Sequence, residues 1–119
     1  MPRASISENA LRAARLSRVP GVTISEAAAR FDVPLAQVRR ARGEVTALTL
    51  PELALAALSK NGLLETFPIA DLSSVAGYID YVNHDGCTVD EVRAMLEELG
   101  RTGAIAIEGA QARLLRAWP

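Results

Sequence analysis

The chain is expected to fold as a mainly α protein, on three observations. Half of the residues are apolar, enough for a packed core, yet only 4% are aromatic. Abundant alanine in that setting favours thin helices packed closely over a sheet-dominated sandwich, which relies on aromatic and β-branched side chains. The pattern Thr-x-x-Glu recurs in TISE (Thr23 to Glu26), TLPE (Thr49 to Glu52) and TVDE (Thr88 to Glu91). In each, the threonine hydroxyl can accept from the third helical N–H while the glutamate reaches back, so each is expected to open a helix. An alternating β pattern is confined to the C-terminal stretch AIAIEGAQARLLRAW.

The elements follow in order. Ser7 caps a first helix over about residues 7–18 with Ala10, Leu11, Ala14 and Leu16 inward, ended by Pro20 and Gly21. A second helix runs from Ile24 to about Phe31. It is broken at DVP, because Pro34 disfavours a helical Val33 yet suits the first turn of a new helix. The third runs from Pro34 to about Arg42 and stops at Gly43. EVTALT then links residues 1–44, a trihelical module, to residues 45–119. The fourth helix, LPELALAALSKNG, closes on Asn61 and Gly62; apolar around most of its girth, it needs cover on more than one side. LLETFPIADLSS has no helical period. SVAGYIDYVNHDG can form a fifth helix with Val75, Ile79 and Val82 inward. The sixth carries one apolar stripe, Val89, Val92, Met95, Leu96 and Leu99, and leads into a β-hairpin turning at Glu108-Gly109.

The net charge of −1 conceals two opposite halves. Residues 1–44 hold eight arginines against Glu8, Glu26, Asp32 and Glu44, a balance of +4, whereas residues 45–119 hold five basic residues against ten acids, a balance of −5. Such asymmetry points to a basic module that meets a polyanion and an acidic one that does not. No apolar run reaches the eighteen or so residues of a membrane span, the N-terminus lacks the apolar stretch of a secretory signal, and Cys87 is the only cysteine. A cytoplasmic, nucleoid-associated protein is the expectation.

Residues 23–43 resemble the helix-turn-helix of small bacterial and phage DNA-binding regulators. Ala28, Phe31, Asp32, Val33, Val38 and Ala41 occupy the positions where that pattern has a small residue, a hydrophobic one, a turn residue, a corner plug and two apolar seats. Asp32 stands where the family usually has glycine, so the corner geometry is expected to differ slightly. The resemblance implies an outward face on the third helix made by Leu35, Ala36, Gln37, Arg39, Arg40 and Arg42. Gln37 would take adenine edges, Arg39 or Arg40 guanine O6 and N7, and Leu35 or Ala36 thymine methyls. Arg42, with Arg12, Arg15 and Arg18, would hold phosphates. The alternative for these arginines is a solvated face that keeps an alanine-rich helix soluble.

Residues 49–118, with two helices, the exit LEELGRTGAI and a terminal hairpin, resemble a winged helix with the hairpin as wing. The sixth helix, however, carries Asp90, Glu91, Glu97 and Glu98, which repel phosphates. This half is therefore expected to join copies or to bind a protein partner.

His84 and Cys87 in HDGC invite a metal or nucleophile reading, but a zinc site wants about four ligands and no second cysteine or histidine exists. A metal shared across a dimer stays open. No Walker loop or dinucleotide glycine fingerprint occurs. The chain is expected to be no enzyme and to need no cofactor or metal. Tyr78 and Tyr81, three apart on a helix, either line an effector pocket or subunit contact or form a wet rim of the core, and Trp118 packs beneath the wing or anchors a partner.

The expected function is thus sequence-specific binding of double-stranded DNA by a homodimeric or higher homo-oligomeric transcriptional regulator. The alternatives are a DNA-packaging, partition or recombination accessory factor that oligomerises through the C-terminal half, and a protein-interaction adaptor whose helix-turn-helix no longer binds nucleic acid.

Overall fold

A computed structural model of the protein describes residues 6–119. The described chain is mainly helical, with a small antiparallel sheet near the C-terminus. It divides into two compact units, one ending at Leu48 and including Pro119, the other Thr49–Trp118.

The first unit comprises α1 (Glu8–Leu16), α2 (Ile24–Phe31) and α3 (Leu35–Ala41), each packed on the other two. Ser7 Oγ accepts from the Ala10 N–H at 3.1 Å and Thr23 Oγ1 from the Glu26 N–H at 3.1 Å, which starts the first two helices. Pro34 precedes α3 in extended conformation and offers no side-chain cap. The inward positions are Ala10, Ala13, Ala14, Leu16, Ala27, Ala28, Val38 and Ala41. Six of these eight are alanine, so the helices meet through methyl groups. That spacing rotates α1 away from the expected stripe: Ala13 is buried and the bulkier Leu11 lies on the flank, half-exposed.

Between α2 and α3, Asp32 adopts the left-handed conformation (φ 51°, ψ 53°) that glycine usually supplies at such a corner. The N–H of Asp32 donates to Ala29 O at 3.3 Å and that of Val33 to Ala28 O at 3.0 Å. These bonds satisfy the closing carbonyls of α2 and turn the chain.

The second unit comprises α4 (Leu50–Leu58), β1 (Thr66–Pro68), α5 (Leu72–Asn83), α6 (Val89–Arg101), β2 (Ile105–Glu108) and β3 (Gln111–Leu114). Thr49 with Glu52 and Thr88 with Glu91 form complete capping boxes at α4 and α6. Ala54, Val75, Ala76, Ile79 and Val92 form one cluster of its core, with Leu50, Leu58, Leu72, Tyr78, Cys87 and Met95 packed against them. Ala76 takes the inward place expected of Val82, which is half-buried, because the core face of α5 runs Val75, Ala76, Ile79. Four consecutive residues of α4, Leu53 to Ala56, are buried, as its uniform apolarity requires.

α4 ends two residues earlier than the expected Asn61-Gly62 cap. Its C-cap is Ser59, and Lys60, Asn61 and Gly62 follow, all left-handed. Ser59 is fully buried; its Oγ donates to Leu55 O at 2.7 Å and accepts from the Gly62 N–H at 3.0 Å.

The stretch LLETFPIADLSS, which has no helical period, contributes both a strand and a helix start. β1 lies antiparallel to β3, giving the sheet order β1-β3-β2, so the expected hairpin is two strands of a three-stranded sheet. Three residues ending in proline carry no alternation of their own. β3 supplies the order: the Leu114 N–H donates to Glu65 O at 2.7 Å, the Ile69 N–H to Ala110 O at 3.0 Å, and Phe67, 1% exposed, anchors the strand. Asp71 then caps α5, accepting from the Ser74 N–H at 3.3 Å. In the hairpin, Glu108 pairs with Gln111 across a turn of Gly109 and Ala110, with positive φ at Gly109.

Candidate nucleic-acid interface

The site is built on α3. Val38 and Ala41, three apart, are both 0% exposed and seat the helix on α1 and α2. Ala36, Gln37, Arg39 and Arg40 are exposed. At 100° per residue they fan over about 160° of the helix, centred opposite the seat. Among the described residues neither the Arg39 nor the Arg40 side chain has an ion-pair partner; the ion pairs found are Arg93 with Asp90, Arg101 with Glu98 and Arg113 with Glu108, all in the second unit. Leu35 and Arg42, also expected on the outward face, are half-buried at its edge.

The four expected phosphate holders fare differently. Arg15 is half-buried in the last turn of α1. Arg12 donates from Nε to Pro119 O at 3.1 Å, and its guanidinium lies 4.8 Å from the centre of the Phe31 ring. Arg18 donates from Nη2 to Arg42 O at 2.9 Å, and the Nε atoms of both Arg18 and Arg42 are shielded from solvent with no acceptor among the described residues.

One arginine contact of the first unit was not legible from sequence. Arg30 stacks on the same Phe31 ring at 5.4 Å, so one ring carries two guanidinium groups. Burial and the neighbouring charge of Arg12 lower the pKa of Arg30.

In the second unit the outer side of α6 bears Asp90, Glu91, Glu97 and Glu98, with Arg93 and Arg101 in the two ion pairs above. An open groove of about 420 Å³ runs beside it, floored by Ile69, Leu72, Leu96 and Ile107 and rimmed by Arg93 and Glu97. Tyr81 is 78% exposed, whereas burial against the core raises the pKa of Tyr78. Trp118 is buried.

His84 is the left-handed C-cap of α5. Burial, then the carboxylates of Glu91 and Asp80, push the Cys87 thiol up, which holds it in the less nucleophilic protonated form. Among the described residues no group of three histidine, cysteine or acidic side chains is placed to hold a metal ion, and no helix is long and apolar enough to cross a membrane.

No family model matches the chain, and no curated protein or solved structure matches it either.

Proposed function

We propose that the protein binds double-stranded DNA sequence-specifically and acts as a dimeric transcriptional regulator, with residues 34–42 reading each half-site. One observation carries this: Arg39 and Arg40 stand exposed beside Gln37 and Ala36, opposite the buried seat of α3, with no carboxylate partner among the described residues. Two adjacent cations on a module of net charge +4 create a field that attracts a polyanion. Their long side chains, beside an amide and a methyl, suit the donor, acceptor and methyl pattern of a major-groove edge. The left-handed corner at Asp32, with α2 before it and α3 after, supports the helix-turn-helix resemblance.

For residues 49–118, the order α4, β1, α5, α6, β2, β3 with sheet order β1-β3-β2 supports a winged-helix-like module. Its acidic α6 argues for a role in joining copies or binding a protein. A dimer would read half-sites spaced by about one helical turn, roughly 10 base pairs, or a multiple.

The test is selection of bound duplexes from a random pool at two salt concentrations, followed by Arg39→Ala and Arg40→Ala. A palindromic consensus and a loss of about 1–3 kcal/mol for each base-reading arginine are expected. Unchanged duplex affinity in both variants would refute the proposal and favour the protein adaptor.

A further inference from the structure

We infer that Arg18 is a positioning residue, which clamps the C-terminal end of α3 and thereby sets the aim of Arg39 and Arg40, and that it is no phosphate contact. This rests on the DNA-binding proposal above and concerns the same site.

α3 has seven residues, about two turns, and a helix so short does not hold its own direction by internal hydrogen bonds. Val38, Ala41 and the Asp32 corner fix its seat and its start. At its end, Val38 O accepts from the Arg42 N–H at 3.0 Å, Arg40 O from the Gly43 N–H at 3.2 Å and Ala41 O from the Glu44 N–H at 2.9 Å. The carbonyl of Arg42, the C-cap residue, accepts instead from Nη2 of Arg18, just beyond α1, at 2.9 Å. A cationic donor at a helix C-terminus gains twice, from a charge-assisted hydrogen bond and from the partial negative charge gathered there.

The Nε of the Arg18 head group points the same way. It is screened from solvent, so that edge of the guanidinium is drawn into the joint between α1 and α3. A phosphate holder needs its fork open to solvent. Letting go of the Arg42 carbonyl frees the last turn of α3, on which Arg39 and Arg40 stand.

The experiment compares wild type, Arg18→Ala and Arg15→Ala for affinity to a selected and a scrambled duplex across a salt series, together with amide hydrogen exchange of α3 without DNA. Arg18→Ala is expected to cut the selected-to-scrambled ratio by about fivefold or more, the lower bound for losing one bidentate base contact, with the salt slope unchanged. The amides of Arg42 to Glu44 should exchange faster. If Arg18→Ala fails to fold, Arg18→Gln serves, since it removes the charge that any phosphate contact would need. A salt slope reduced by about 1, with both duplexes weakened alike, is the signature of a phosphate contact and overturns the inference. Absence of duplex binding by wild type sinks the DNA reading separately. Exchange then decides alone: faster in Arg18→Ala supports the clamp, and unchanged overturns it.

Discussion

Replacing Val38 by alanine tests whether the exposed face proposed to read bases depends on its seat. Val38 is 0% exposed and is one of only two buried side chains larger than alanine on the three helices of the first unit, the other hydrophobic one being Leu16. Removing its two methyl groups costs about 1.6 kcal/mol in transfer free energy at roughly 0.8 kcal/mol per buried carbon. Incomplete collapse of the cavity raises the total to about 2–3 kcal/mol. A unit of this size, at about 0.05–0.15 kcal/mol per residue, has only about 2–7 kcal/mol to lose. Val38→Ala therefore removes about a quarter or more of the stability of the first unit without touching a single exposed residue. Amide hydrogen exchange across α1, α2 and α3 is expected to accelerate together, and duplex affinity to fall in proportion to the population opened. Wild-type protection in α3 would refute the dependence of the site on this packing.

Ser59→Ala leaves the half-buried Gly62 N–H without the acceptor it meets at 3.0 Å, and loss of such a hydrogen bond costs about 0.5–1.5 kcal/mol. Leu55 O keeps the Ser59 N–H as donor at 2.9 Å, so that end of the bond contributes little to the loss. Thermal melting of the second unit should fall by several degrees, and an unchanged melting temperature would contradict the assignment. Asp71 is held below the usual carboxylate range by hydrogen bonds from the Ser74 and Ser73 hydroxyls and the Ser74 N–H. A depressed folded pKa contributes stability that is present above the ordinary carboxylate value and is lost as pH falls through the folded one. Asp71→Asn should lower stability at neutral pH and so flatten the acid limb of the stability–pH curve, and an identical acid limb would contradict this.

How much could be read in advance depended on where the ordering information lay. The Thr-x-x-Glu boxes gave the starts of α2, α4 and α6 because a cap is encoded within four residues. The bounds of α2, Ile24 and Phe31, follow from Thr23 and from the DVP corner for the same reason. β1 was not readable, since its pairing comes from β3 some 45 residues later in the chain. The start of α5 at Leu72 depends on Asp71 and two serines inside a stretch without period. In the site, the helix-turn-helix resemblance implied an outward face of Leu35, Ala36, Gln37, Arg39, Arg40 and Arg42, of which Leu35 and Arg42 are half-buried at the edge. Spacing does not reveal where a guanidinium turns. The engagement of Arg18 with Arg42 O, and the sharing of Phe31 by Arg12 and Arg30, arise from contacts between separate helices.

The methyl-lined interior of the first unit has an implication for redesign. Ala10, Ala13, Ala14, Ala27, Ala28 and Ala41 leave no slack for a larger side chain, so the scaffold is fixed from within. Ala36, Gln37, Arg39 and Arg40 take no part in that interior. Their identities can be exchanged at almost no thermodynamic penalty, which leaves the exposed face free to vary while the frame beneath stays the same.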